Sequence, residues 1–145
     1  MPYEIKKITS QDQETIVAAV RDHWGDEKII VHEEIFNTAD LPGFLALENN
    51  ELLGYLHYQV RDDHCEIITL ASMRERQGIG SALVEAVERI AQTQGCKKIK
   101  ATTTNDNLAA LVFYQRLGFI MSGVGLGLVD EARLFKSSIP EIGNH

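Results

Sequence analysis

No apolar run in these 145 residues approaches the roughly 20 needed to span a bilayer. The first ten residues, MPYEIKKITS, hold no apolar stretch like a secretory signal. Both absences point to a cytoplasmic protein with no membrane partner. The two cysteines, Cys65 and Cys96, form no motif. They allow one disulfide at most, so a stapled fold is not expected and the thiols read as reduced. Basic charge is also short: 14 Lys and Arg stand against 21 Asp and Glu, a formal net charge of -7. Phosphate binding over a nucleic acid needs a basic surface, so no nucleic-acid partner is expected. A basic substrate is compatible with this charge. His23, His32, His57 and His64 lack the close pairing of zinc ligands, so no metal is expected. No repeat, low-complexity tract or linker breaks the chain, and its length suits one domain over 1–145.

What is present is an alternation of strand and helix patterns. YEIKKIT (3–9) reads as a strand and SQDQETIVAAVRDHW (10–24) as a helix capped by Ser10 and stopped by Gly25. Ile16, Val17, Val20 and Trp24 share its apolar face. Residues 28–40 fit a strand or a short helix equally. FLALE (44–48) and ELLGYLHYQV (51–60) form a hairpin across Asn49-Asn50. HCEIITLAS (64–72) has the apolar middle of a strand buried on both faces. A helix over about 79–94 buries Ile79, Leu83, Val84, Val87, Ile90 and Ala91 and ends at Gly95. A strand (97–104), a short helix (107–117) and a strand (119–125) follow. Residues 128–140 read as a helix or a loop with a helical turn. Strands 64–72 and 97–104, joined by one helix, should be parallel neighbours. The class is α/β with a mixed sheet: antiparallel strands first, a parallel pair in the middle.

Between that buried strand and that helix lies MRERQGIGSALV (73–84). Gly78 and Gly80 cost helix stability, which a loop bringing its backbone close to a ligand justifies. The stretch is not a phosphate loop of the G-x-x-x-x-G-K-[ST] kind, because lysine and hydroxyl are missing. A dinucleotide fingerprint would need glycine at 83, where Leu83 stands. Backbone N–H groups of Gln77, Gly78, Ile79 and Gly80 at a helix start suit an anion, and Arg74 and Arg76 add positive charge. A purely structural turn remains the alternative.

A second stretch, TNDNLAALVFYQRLGF (104–119), contains N-x-x-A-x-x-F-Y-x-x-x-G-F. With RQGIGSAL it resembles the two signature segments of the GNAT superfamily of acyl-CoA-dependent N-acyltransferases. The resemblance covers roughly residues 3–125. The stretch TTTNDN with the later VDEAR and IP is similar to one bacterial subgroup of small members. The resemblance implies a GNAT-like mixed sheet, flanked by helices, whose parallel central pair splays around the cofactor. It implies transfer of an acetyl group from acetyl-CoA, as co-substrate, to a small-molecule or peptide amine. Members often form homodimers. A non-catalytic acyl-CoA-binding or regulatory module of the same fold is the alternative. Two departures stand out. Glu75 occupies a place where many members carry arginine or glutamine. Members also usually end in a strand paired to the one at 119–125, and no convincing strand stands between Gly127 and His145: either a short one hides in residues 126–139 or this chain lacks a piece.

By resemblance, Leu70, Ser72, Arg74, Arg76, Gln77, Gly78, Ile79, Gly80, Ser81 and Asn107 bind the cofactor, and Tyr114 is the general acid. Tyr114 could instead be a core aromatic, and Asn107 a helix cap in competition with Asn105 and Asp106. The chemistry also needs a base or a water chain to take the amine's proton. A lysine-like amine is mostly protonated at pH 7, and freeing it costs about 4.6 kcal/mol. Glu66, at the start of EIITLAS, is the candidate, since a carboxylate there is costly to bury without purpose. An exposed charge at a strand end is its alternative role. His57, between Tyr55 and Tyr58, could line the acceptor pocket or sit in the core or at the surface. Trp24 could wall the acceptor site or pack in the core.

Overall fold

The computed structural model describes residues 3–31, 34–73, 78–104, 108–125 and 131–137. Among them the strands are β1 (Glu4–Lys7), β2 (Lys28–Val31), β3 (Glu34–Asn37), β4 (Gly43–Glu48), β5 (Glu51–Arg61), β6 (His64–Ser72), β7 (Lys98–Thr104), β8 (Ile120–Gly125) and β9 (Glu131–Ser137). The α-helices are α1 (Gln13–Trp24), α2 (Ile79–Thr93) and α3 (Leu108–Arg116). One sheet runs in the order β1-β4-β5-β6-β7-β9-β8, and β2 and β3 form a separate pair. The chain divides into two compact units, Met1–Gln59 with Ile68–Val87 and Val60–Ile67 with Glu88–His145.

In the first unit, β1 pairs antiparallel with β4, and β4 with β5. The β4–β5 turn is Asn49-Asn50, with φ of 51° and 68°. Two left-handed residues match the turn to the strand twist, and asparagine tolerates that region. The register shifts between Ala46 and Leu47. The undecided stretch 28–40 is the hairpin of β2 and β3, running on into a 3-10 turn at Thr38–Asp40. Glu27 closes its base by accepting both the N–H and the hydroxyl of Thr38, at 3.0 and 2.7 Å.

A separate 3-10 turn, Ser10–Asp12, capped by Thr9, precedes α1, whose own cap position is held by Asp12 rather than the expected Ser10. The Asp12 carboxylate accepts from the Thr9 N–H and hydroxyl, both at 2.8 Å. That main-chain donor holds the Asp12 carboxyl below its usual range. Ile16 and Val20 from the helix join Leu45, Tyr55 and Ala71 in one apolar cluster. Trp24, expected on the same face, is instead 45% exposed.

In the second unit β6 and β7 are parallel over His64↔Lys98 to Ile67↔Ala101, as the joining helix requires. At the end of the chain the structure decides between the alternatives: the helix or helical turn expected over 128–140 is not seen at residues 131–137, and the short strand within 126–139 is present as β9, antiparallel to both β7 and β8. Glu, Ala, Arg and Leu are good helix formers, but two flanking strands supply ladder partners that override propensity. Helix α2 closes as expected: Gly95 sits at φ 76°. Its N–H donates to Gln92 and that of Cys96 to Ala91, at 3.1 and 2.8 Å, which satisfies the last carbonyls.

Candidate active site

Strand β6 leads to the glycine loop in the first unit. Leu70 is half-buried and Ser72 exposed on the strand's last turn of alternation. Gly78 is exposed, with φ of 72°, and its carbonyl accepts from the Ala82 N–H at 2.9 Å. Glycine adopts that conformation at no steric cost, and there it starts α2. The N–H groups of a first helical turn have no partner within the helix, so an anion is favoured beside Gly80 and Ser81. Free N–H groups of this kind are the donor chemistry that a coenzyme's phosphate needs. Ile79 is 1% exposed as a whole residue, so its side chain is packed inside and not open to a ligand. It lies against β5, where a Cβ on Gly54 would stand 2.9 Å from Ile79 Cγ2 and 2.7 Å from the Ala71 carbonyl. Arg74, Arg76, Gln77 and Asn107 lie outside the described residues.

Tyr114 and Glu66 belong to the second unit. Both are buried, at 7% exposure each. Glu66 is therefore not the exposed strand-end charge of its alternative reading. Its Cα partner in the parallel ladder is Lys100, which places a cation beside it on the neighbouring strand. Tyr114 stands edge-on to Phe119, with ring centroids 5.1 Å apart. Its own carbonyl accepts from the Phe119 N–H at 3.0 Å, fastening the end of α3 to the start of β8. Burial pushes its phenol well above the ordinary range, so it stays protonated. Beside Glu66, the Cys65 thiol is pushed up to about 12, mainly by burial, with Cys96 and Glu66 adding. Cys65 and Cys96 are both free.

His57 is fully buried in the first unit. Its main-chain N–H donates to Thr69 Oγ1 at 3.0 Å, and its Nδ1 lies 2.7 Å from the same oxygen. Nε2 has no hydrogen-bond partner among the described residues. A buried polar atom left so costs about 1–3 kcal/mol. Burial lowers the His57 pKa to about 4, so the ring is neutral at pH 7. Tyr55 packs edge-on to it at 5.7 Å, and the Trp24 Nε1–H donates to the Tyr55 hydroxyl at 3.0 Å. Thr69 is the residue that sequence reasoning passed over. Its signal was a hydroxyl between the apolar residues Ile68 and Leu70 of EIITLAS. Among the described residues no group of three or more His, Cys, Asp or Glu could hold a metal ion, and no helix is long and apolar enough to cross a membrane.

A family model described as the acetyltransferase (GNAT) family matches residues 5–119. The chain belongs to the GNAT acetyltransferase family. The uncharacterized protein YdhI of Bacillus subtilis is 40% identical to this GNAT chain over 124 residues, 85% of this chain and 78% of YdhI. An aminoglycoside N(6')-acetyltransferase type 1 of Salmonella typhimurium is 28% identical over 109 residues, 67% and 74% of the two chains. The solved structure of YncA, a putative acetyltransferase from Salmonella typhimurium with its cofactor acetyl-CoA, superposes with a TM-score of 0.75 at 15% identity, covering 99% of this chain and 98% of YncA. That likeness concerns the fold. It agrees with the mixed α/β sheet and parallel β6–β7 pair of this GNAT chain.

Proposed function

We propose that this GNAT chain is an acetyl-CoA-dependent N-acetyltransferase that acetylates a primary amine by direct attack in a ternary complex. The observation carrying this reading is the start of α2, where a left-handed Gly78 follows a buried strand and turns a helix N-terminus into an anion seat. The acetyl-CoA bound to YncA and the aminoglycoside activity in the relative's name support it. The amine nitrogen attacks the thioester carbonyl, the C–S bond breaks, and CoA leaves as a thiolate. The attacking amine must first lose its ammonium proton, and Glu66 takes it, directly or through one water. The nitrogen's second proton is lost as the amide forms and passes through water to restore Tyr114 after it has protonated the thiolate. A thiol leaving group with pKa near 8.5 needs little help, so Tyr114 donates a hydrogen bond and then the proton that makes free CoA. Leu70, Ser72, Arg74, Arg76, Gln77 and Asn107 complete the cofactor contacts. The acceptor is a small molecule or a peptide.

Release of CoA thiol from acetyl-CoA across an amine panel tests the reading. Turnover with at least one amine is expected, and the absence of turnover with all of them overturns it. Glu66→Gln assigns the base. It keeps the shape but cannot accept the proton, so kcat/KM should fall about 100-fold or more at pH 7. The deficit should shrink as pH rises and more amine is already neutral. A pH–rate profile that overlays wild type places deprotonation elsewhere.

A further inference from the structure

The Met73 N–H donates to the Leu53 carbonyl at 2.7 Å. Strands β5 and β6 are neighbours in the sheet, and His57 of β5 meets Thr69 of β6 across it. A regular antiparallel ladder joins such a pair through main-chain atoms alone. Here the His57 N–H goes to a side-chain oxygen, Thr69 Oγ1, at 3.0 Å. The imidazole returns to the same oxygen through Nδ1 at 2.7 Å. One hydroxyl is thus gripped twice by one residue across the strands.

The protons follow from counting partners. The Thr69 hydroxyl accepts from the His57 N–H and donates to Nδ1, which leaves the ring proton on Nε2. The opposite tautomer would leave the hydroxyl proton without an acceptor as well as Nε2 without a donor. Among the described residues Nε2 has no partner in either case. An apolar side chain of similar size would avoid that orphan, so packing does not account for the imidazole; its hold on Thr69 does. Tyr55 backs the ring from the side, and Trp24 in turn anchors the Tyr55 hydroxyl.

We infer that His57 and Thr69 are a positioning pair, fixing the course of β6 just ahead of Leu70, Ala71 and Ser72, where the strand runs on to the glycine loop. The pair touches no reacting atom. It sets the main chain of residues 70–72 to meet the coenzyme's amides, and to this extent it rests on the acetyl-transfer reading. Neither residue acts by its volume; the hydroxyl is the working group.

Thr69→Val removes the hydroxyl at nearly constant shape, and Thr69→Ser restores it. With the best amine of the panel, Thr69→Val should raise the KM for acetyl-CoA about tenfold or more, with kcat within about threefold of wild type. Thr69→Ser should stay within about threefold of wild type in both. Amide hydrogen exchange in the protein without acetyl-CoA gives a second readout that needs no turnover. Exchange at Leu70, Ala71 and Ser72 should quicken in Thr69→Val and not in Thr69→Ser. Wild-type kinetics in Thr69→Val, or equal losses in the two variants, would overturn the role. If no amine turns over, the transferase reading fails by itself. The exchange data then decide the pair alone: quickening confined to Thr69→Val supports it, and its absence overturns it.

Discussion

Tyr114 carries two properties that pull against each other. A buried phenol with a raised pKa is always protonated, so the donor is present at every working pH. The same shift makes it a weak acid, poorly matched to a thiolate near 8.5. Its effect therefore belongs at the low end for general acids. Tyr114→Phe should lower kcat by about 10–100-fold and leave acetyl-CoA affinity, read by calorimetric titration, nearly unchanged. Wild-type turnover in that variant would mean the ring only packs against Phe119. The sequence made Tyr114 legible because its motif fixes its place on a short helix. It could not show that the phenol is buried. Thr69 was less legible, because a threonine in a strand is ordinary until its partner across the ladder is known. His57 was visible but ambiguous, since burial of an imidazole depends on what covers it and not on its neighbours in sequence.

At the scale of elements, periodicity located what is locally determined. The Asn49-Asn50 hairpin, the apolar β6 and the buried stripe of α2 all follow from spacing that one segment carries by itself. The pieces missed or left open take their form from partners. Strand β9 has helix-forming residues and becomes a strand because β7 and β8 bond it on both edges. Residues 28–37 fit two periods equally and become a hairpin by pairing with each other. Packing of α2 on the sheet likewise rests on a residue whose spacing says little. Gly54 leaves room for Ile79 and Leu83 where a Cβ would press on Ile79 Cγ2 and the Ala71 carbonyl. Gly54→Ala should therefore lower stability by about 1–3 kcal/mol in urea denaturation. It should also weaken acetyl-CoA binding, because α2 can yield only by moving its first turn. An unchanged denaturation midpoint would mean that the helix start has slack.

For the whole molecule, His57 links local burial to global stability. Its folded pKa is about 4, against an ordinary 6.5. At pH above 6.5 the ring is neutral whether the chain is folded or not, so no proton is taken up on unfolding. As pH falls below 6.5 the unfolded chain binds a proton that the folded one refuses, and stability drops with each step. The loss is complete near pH 4, where the buried ring also protonates. Two and a half units at 1.36 kcal/mol each give about 3 kcal/mol as the upper bound of this contribution. Asp12 pushes in the same direction at lower pH, because its folded carboxyl titrates below the unfolded value of 3.8. His57→Gln removes the titrating ring while leaving Asp12 and the other carboxylates in place. At pH 7 the variant should be less stable than wild type, having lost the hydrogen bond to Thr69 in its native geometry. Between pH 6.5 and 4 the gap should narrow by up to that amount, since only wild type pays for a buried neutral imidazole in acid. Urea midpoints for both proteins across this range measure it, and parallel curves would mean that the folded His57 titrates like a solvated one.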